Sequence, residues 1–147
     1  MGSYDLLVRF WGVRGSYPVP GKGTIRYGGN TSCVEVRARG HLIILDAGTG
    51  IIKLGQSLMQ EMNGAAGTEP ALTATMLISH THHDHIQGLP YFAPAYRAGT
   101  VLHVYGPRTY SDDLVHVLSR TMEPQYSPIR LDELNSQMNI HNLSDSE

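Results

Sequence analysis

The sequence predicts an α/β layered domain, and three observations carry that expectation. Short apolar runs read as strands, they alternate with helical patterns, and the chain length suits one domain. At 147 residues, such a domain buries about 68–70% of its unfolded surface. A composition of 41% hydrophobic and 16% charged residues is that of a globular core.

Tyr4–Trp11 mixes aliphatic and aromatic residues and stops at Gly12, so it reads as a strand. Gly15–Gly29 holds Pro18, Pro20 and five glycines and reads as a long irregular loop, a length that usually carries function. Ser32–Ala38 and His41–Leu45 form a strand pair, and Arg39-Gly40 between them is a hairpin signal. Asp46-Ala47-Gly48-Thr49-Gly50 then breaks the strand and opens a helix. Ile51, Leu54, Leu58 and Met62 make one apolar stripe along it, and Asn63-Gly64 stops it.

After a connector, Gly64–Pro70, the run Ala74–Ser79 reads as a buried strand that leads into a histidine cluster. His85–Tyr96 is expected to be partly helical, with breaks at Pro90 and Pro94. Thr100–Tyr105 is a strand ended by Gly106-Pro107, and Ser111–Glu123 a helix with Ser111, Asp112 and Asp113 at its positive end. Pro124–Glu147 is polar, and only 138–143 alternates like a strand. The whole chain, 1–147, reads as one unit, with 124–147 a polar tail or the opening of a second half.

Charge and cysteine content narrow the function. A net charge of -2 argues against a general nucleic-acid clamp and against a polybasic membrane patch. No apolar run approaches the roughly 20 residues that span a bilayer, and the start lacks a signal-peptide core. One cysteine, Cys33, excludes an internal disulfide. It suits a reducing compartment, so a cytoplasmic location is expected.

The chemistry concentrates in His80-Thr81-His82-His83-Asp84-His85, which holds four of the eight histidines. Imidazoles with a carboxylate suit zinc, iron or manganese. Residues two apart in an extended segment point the same way, so His80 and His82 can grip one ion. A turn into a helix at Asp84 would let Asp84 and His85 face a second, with Thr81 and His83 pointing elsewhere. Two ions about 3.5–4 Å apart activate water and neutralise a leaving oxygen. By chance this pattern arises on the order of once per thousand chains of this composition.

The sextet HTHHDH resembles the signature of metallo-β-lactamase-fold hydrolases. FWGVRGSYPVPG, RYGGNTSCVEV, the segment Ile44–Ile51 and HHDHIQGLPYFAPAY are similar to one branch of them. That branch holds ribonuclease Z, the phosphonate-cleavage phosphodiesterases and cyclic-nucleotide phosphodiesterases, and the resemblance runs from Leu6 through Asp132. It implies an αββα sandwich, classed as α/β or α+β, of which this chain resembles the amino-terminal half. It implies that His80 and His82 bind one metal, that Asp84 and His85 bind the other with Asp84 catalytic, and that Asp46 is a buried support. It also implies two divalent ions, zinc foremost with manganese or iron as alternatives.

In that family the second half adds a histidine per metal, a bridging aspartate and the general acid. Here only His141, Asp145 and Glu147 follow Leu131 as candidate donors, and His141 is not expected to be one. The expected function is therefore metal-dependent hydrolysis of a small-molecule or nucleotide phosphodiester. The chain is expected to be truncated, weak or inactive alone, and to pair as a homodimer over its uncovered sheet. Thioester or lactone hydrolysis on the same fold, or a non-catalytic truncated module that dimerises, are the alternatives.

Among the remaining residues, His103 is expected to be structural, and His41 and His116 solvated. Cys33 is expected to be an inert, half-buried thiol. Arg14, Arg26 and Tyr27 flank the Gly/Pro-rich loop, and the arginine fork suits phosphate.

Overall fold

The computed structural model describes residues 5–64, 72–108 and 112–143. Six strands form one mixed sheet whose spatial order equals chain order: β1 (Leu6–Gly12), β2 (Cys33–Ala38), β3 (His41–Leu45), β4 (Thr73–Leu77), β5 (Val101–Pro107) and β6 (Gln137–Leu143). β1, β2 and β3 pair antiparallel, whereas β3 through β6 run parallel. The β2–β3 connection is the expected hairpin. Arg39 and Gly40 both adopt positive φ, 49° and 81°, the mirror-image turn that matches strand twist.

Helix α1 (Gly50–Gly64) fills the crossover from β3 to β4. Its stripe is as the periodicity dictates, with Ile51, Leu54, Leu58 and Met62 all buried. Ile51, Leu54 and Leu58 pack with Leu42 and Ile44 of β3, Ala74 and Met76 of β4, and Leu102 and Val104 of β5, the alternate residues of each strand. Leu89, in a 3₁₀ turn at Leu89–Tyr91, and Phe92, between it and a second turn at Ala93–Tyr96, close the same layer. The helical turn expected in His85–Tyr96 is shorter and earlier: α2 spans His83–Ile86, because Pro90 and Pro94 permit only 3₁₀ turns after it.

Helix α3 is Leu114–Thr121, shorter than the expected Ser111–Glu123. Asp113 occupies the cap position without a side-chain cap bond; Asn142 of β6 accepts the Leu114 N–H instead, at 2.7 Å. The 124–147 stretch, over its described part, ends in a strand of the same sheet. Its residues 137–143 pair along the whole of β5, with Met138 and Ile140 turned to the core. Tyr4, Ser111, Asp145, Glu147 and most of the Gly64–Pro70 connector lie outside the described residues.

The opposite sheet face carries no helix among the described residues. Strand pairing places Val8, Val36 and Ile43 on it in one row, and Phe10, Val34 and Leu45 in the next. Phe10 is 67% exposed and Leu6 60%. His41, His103 and His141 lie on this face too. His103 sits beside Asn139, and His141 stacks on Tyr105 with ring centroids 4.8 Å apart, so both fill structural positions. Buried against the helices instead is Glu35, 0% exposed. It accepts from Trp11 Nε1 at 2.8 Å and pairs with Arg37 and Arg9.

Candidate metal centre

The site forms where parallel β3 and β4 end, the position at which open α/β sheets collect ligands. Two loops meet there. The Ala47 N–H donates to the His85 carbonyl at 2.7 Å, and the Gly88 N–H to the Ala47 carbonyl at 2.8 Å. The approach is close enough to require glycine: a Cβ on Gly88 would stand 2.1 Å from the Gly48 carbonyl oxygen.

Asp46 is the hub. Its φ of 62° puts it in the left-handed region, which aspartate tolerates better than most residues. From there the carboxylate accepts the Ser79 N–H on Oδ1 at 2.8 Å. Its Oδ2 accepts the Ser79 hydroxyl at 3.0 Å and the Ser32 hydroxyl at 3.2 Å. The Nδ1 of His85 lies 2.7 Å from that same oxygen. An ionised carboxylate only accepts, so Nδ1 is the side of His85 that donates to Asp46, and Nε2 is the side turned away from it. Ser79 has one hydroxyl proton, and Asp46 takes it. The Ser79 oxygen also lies 3.1 Å from His80 Nδ1 and 3.3 Å from His85 Nδ1, so both rings have their Nδ1 side against Ser79.

The four motif residues come together. The His80 ring centroid is 4.0 Å from that of His85 and 4.5 Å from that of His82. Asp84 Oδ2 lies 3.4 Å from His85 Nε2. Asp84 is buried and accepts the backbone N–H of Ser16, from the long loop, at 2.7 Å. Burial pushes its pKa up, but the Ser16 bond and the neighbouring His85 and His80 outweigh that and leave it below the ordinary carboxylate value. His83 is exposed and outside the cluster, lining a separate pocket with Tyr91 and Tyr126.

The donor set fits divalent metal. Two donors about 2.0–2.2 Å from a tetrahedral ion stand about 3.4 Å from each other, which is the separation of Asp84 Oδ2 and His85 Nε2. The hydrogen-bonded backing of both ring Nδ1 atoms is the support that metal-ligating histidines require. Among the described residues no group of three or more His, Cys, Asp or Glu side chains is arranged to hold one metal ion.

Ser79, Ser32 and Ser16 were not legible as site residues. Ser79 alone had a signal, its place between an apolar strand and the first histidine. Cys33 is fully rather than half buried; burial, then the charges of Asp46 and Glu35, push its thiol up to about 12.

The chain is 26% identical over 115 residues to a ribonuclease Z of Pyrococcus abyssi, a match covering 76% of this chain and 33% of that protein. Human tRNase Z, short form, superposes with a TM-score of 0.55 at 25% identity, over 95% of this chain and 47% of the other. A diphosphatase of the PhnP family superposes with a TM-score of 0.60 at 17% identity, over 95% and 51%. The chain thus spans about a third of the curated relative and about half of the two solved structures, and its fold is that of one half of the metallo-β-lactamase sandwich. Residues 27–147 match the family model described as Anti-Pycsar protein Apyc1, and the chain belongs to that family.

Proposed function

We propose that the chain provides the metal-binding half of a metal-dependent phosphodiesterase. The observation that supports this reading is the Asp46–Ser79 lattice, which backs the Nδ1 sides of His80 and His85, with Asp84 Oδ2 3.4 Å from His85 Nε2. His80 and His82 would hold one ion, Asp84 and His85 the other, with zinc favoured and manganese or iron acceptable to the same donors. Bound there, the ions supply water activation and charge neutralisation at phosphorus. Asp46 keeps the His85 ring oriented through Nδ1, and Ser79 does the same for His80. Asp84 is kept ionised by the Ser16 N–H, the form in which its carboxylate can hold a cation. Likeness to a ribonuclease Z and a tRNase Z supports a phosphodiester substrate, small or nucleotide. The buried, lone Cys33 suits the cytoplasm, and no helix among the described residues is long and apolar enough to cross a membrane.

Each ion has two protein donors here, whereas catalytic zinc normally has three, so the 147-residue chain alone is a weak hydrolase with exchangeable metal. The bare sheet face supports a second proposal, a homodimer in which a second copy covers Leu6, Val8, Phe10, Leu45 and Leu77. Covering about 800 Å² of apolar surface is worth roughly 20 kcal/mol before association costs, and two-fold pairing is the commonest solution for identical chains.

The test loads the chain with zinc, manganese or iron(II) and measures bound metal with turnover of bis(p-nitrophenyl) phosphate, a thioester and a lactone. The expectation is exchangeable metal with slow diester cleavage exceeding the other two. No metal binding in any arm, or preference for the thioester or lactone, overturns the phosphodiesterase reading. Light scattering at micromolar concentration addresses the pairing; a monomer overturns it.

A further inference from the structure

From Leu6 through Val34 the chain contains no acidic residue, while Arg14, Lys22 and Arg26 fall within its irregular stretch. The structure folds that stretch against the metal motif. Val13 and Arg14 donate their N–H groups to the Asn30 carbonyl, Val19 donates to Gly29, and a short 3₁₀ turn at Lys22–Thr24 closes the loop. Its contact with the site is the Ser16 N–H on Asp84. Ser16 holds a positive φ of 72° to make that bond, a conformation non-glycine residues rarely adopt.

Beside this contact lies a concavity of about 300 Å³ lined by Arg14, Thr24, Arg26 and Tyr27. The two guanidinium groups are held in place without any carboxylate among the described residues. Arg14 Nε donates to the Tyr17 carbonyl at 3.1 Å, and its guanidinium lies 5.4 Å from the Tyr17 ring centre. The Arg26 guanidinium lies 5.0 Å from the Tyr27 ring centre. Three exposed arginines elsewhere have carboxylate partners: Arg108 with Asp113, Arg120 with Asp112, Arg130 with Asp132. Two oriented forks facing one pocket with no acid to neutralise them match a phosphate, which accepts paired N–H groups in one plane. Arg14 is two residues from Ser16, so its Cα lies within about 7 Å of the residue that touches Asp84.

We propose that Arg14 and Arg26 form an anion subsite that grips a phosphate of a nucleotide substrate other than the one cleaved at His80–His85. The assignment deepens the phosphodiesterase reading and rests on it for the words "substrate" and "cleaved"; the binding itself needs no metal. The subsite selects substrates carrying a second phosphate, such as a short linear nucleotide with a terminal phosphate.

The probe is the dinucleotide pApA, titrated calorimetrically into the chain in EDTA, with inorganic phosphate as a separate arm. Arg14→Ala/Arg26→Ala is expected to weaken pApA binding by about tenfold per arginine removed. Arg120→Ala, paired with Asp112 on α3, is expected to leave it unchanged. Unchanged affinity in the double variant overturns the proposal, as does phosphate binding as tightly as pApA, which marks a free-anion site. The wild-type chain gives an answer even if the double variant fails to fold. Two phosphate contacts on a single strand predict a slope of about −1.4 for log affinity against log salt, and a slope near zero overturns the subsite. Diester cleavage by the metal-loaded chain is scored separately. Its absence with arginine-dependent binding intact overturns the phosphodiesterase reading alone, and its presence with arginine-independent binding overturns the subsite alone.

Discussion

His85 Nδ1 and Asp46 Oδ2 stand 2.7 Å apart although 39 positions separate them in the chain. The bond sets which ring nitrogen of His85 is turned away from Asp46. Asp46→Ala removes it together with the acceptor of both Ser79 donors. Zinc affinity should fall by about 10–100-fold, as loss of such supports usually costs. Calorimetric titration with zinc checks this, and Asp46→Asn should recover part of the loss by keeping an acceptor oxygen.

Gly88→Ala tests how tightly the two site loops are clamped. The new methyl would meet the Gly48 carbonyl oxygen at 2.1 Å, and backbone cannot swing aside like a flexible side chain. Destabilisation at or above the upper end of about 1–3 kcal/mol is expected. Gly23→Ala, with open space around its Cβ, is the matched control. Urea midpoints of the two variants compare them directly.

The Cys33 thiol, pushed up to about 12 by burial, should resist alkylation by iodoacetamide at neutral pH in the folded chain. Labelling should appear only as denaturant exposes β2. Mass spectrometry across a urea series reads this out, and labelling without denaturant would contradict the burial.

Asp84 predicts an acid limb in the stability of the metal-free chain. Its folded pKa is lowered, so its contribution is present above the ordinary carboxylate value and fades as pH falls through the folded one. The stability difference between wild type and Asp84→Asn, measured in EDTA, should therefore shrink as pH is taken down through and below the ordinary carboxylate range. Parallel curves would remove Ser16 and the histidines as the cause.

Asn142→Ala removes the acceptor that caps α3 from a strand 28 positions away. The expected cost is about 1 kcal/mol, that of a lost N-cap, read as a lower urea midpoint. Asn142→Asp should restore most of it, since a carboxylate also accepts from the first turn.

What the sequence made legible follows from local signals. The α1 stripe, the Arg39-Gly40 turn and the histidine sextet each lie within a few consecutive residues, where periodicity and turn chemistry act directly. Strand β6 was legible as the alternation of 138–143, but its parallel pairing with β5 was not, because the partner lies some 36 positions away. Glu35 was invisible for a related reason. An acid within a strand reads as solvent-facing, and only folding brings Trp11, Arg37 and Arg9 around it. The fourfold role of the Asp46 carboxylate depends on a left-handed backbone at one residue, a conformation that residue type permits but does not dictate.

The agreement between strand order in space and strand order in the chain bears on how the molecule comes into being. A strand leaving the ribosome finds the edge it needs already displayed by its predecessor, and none has to be threaded between two that have paired. Synthesis and sheet growth then proceed in step from β1 towards β6, and α1 arrives in time to cover β3 before β4 docks. His80–His85 emerges directly after β4, once Asp46 is waiting at the end of β3, so the first geometry of the ion-binding corner is set while β5 is still being made.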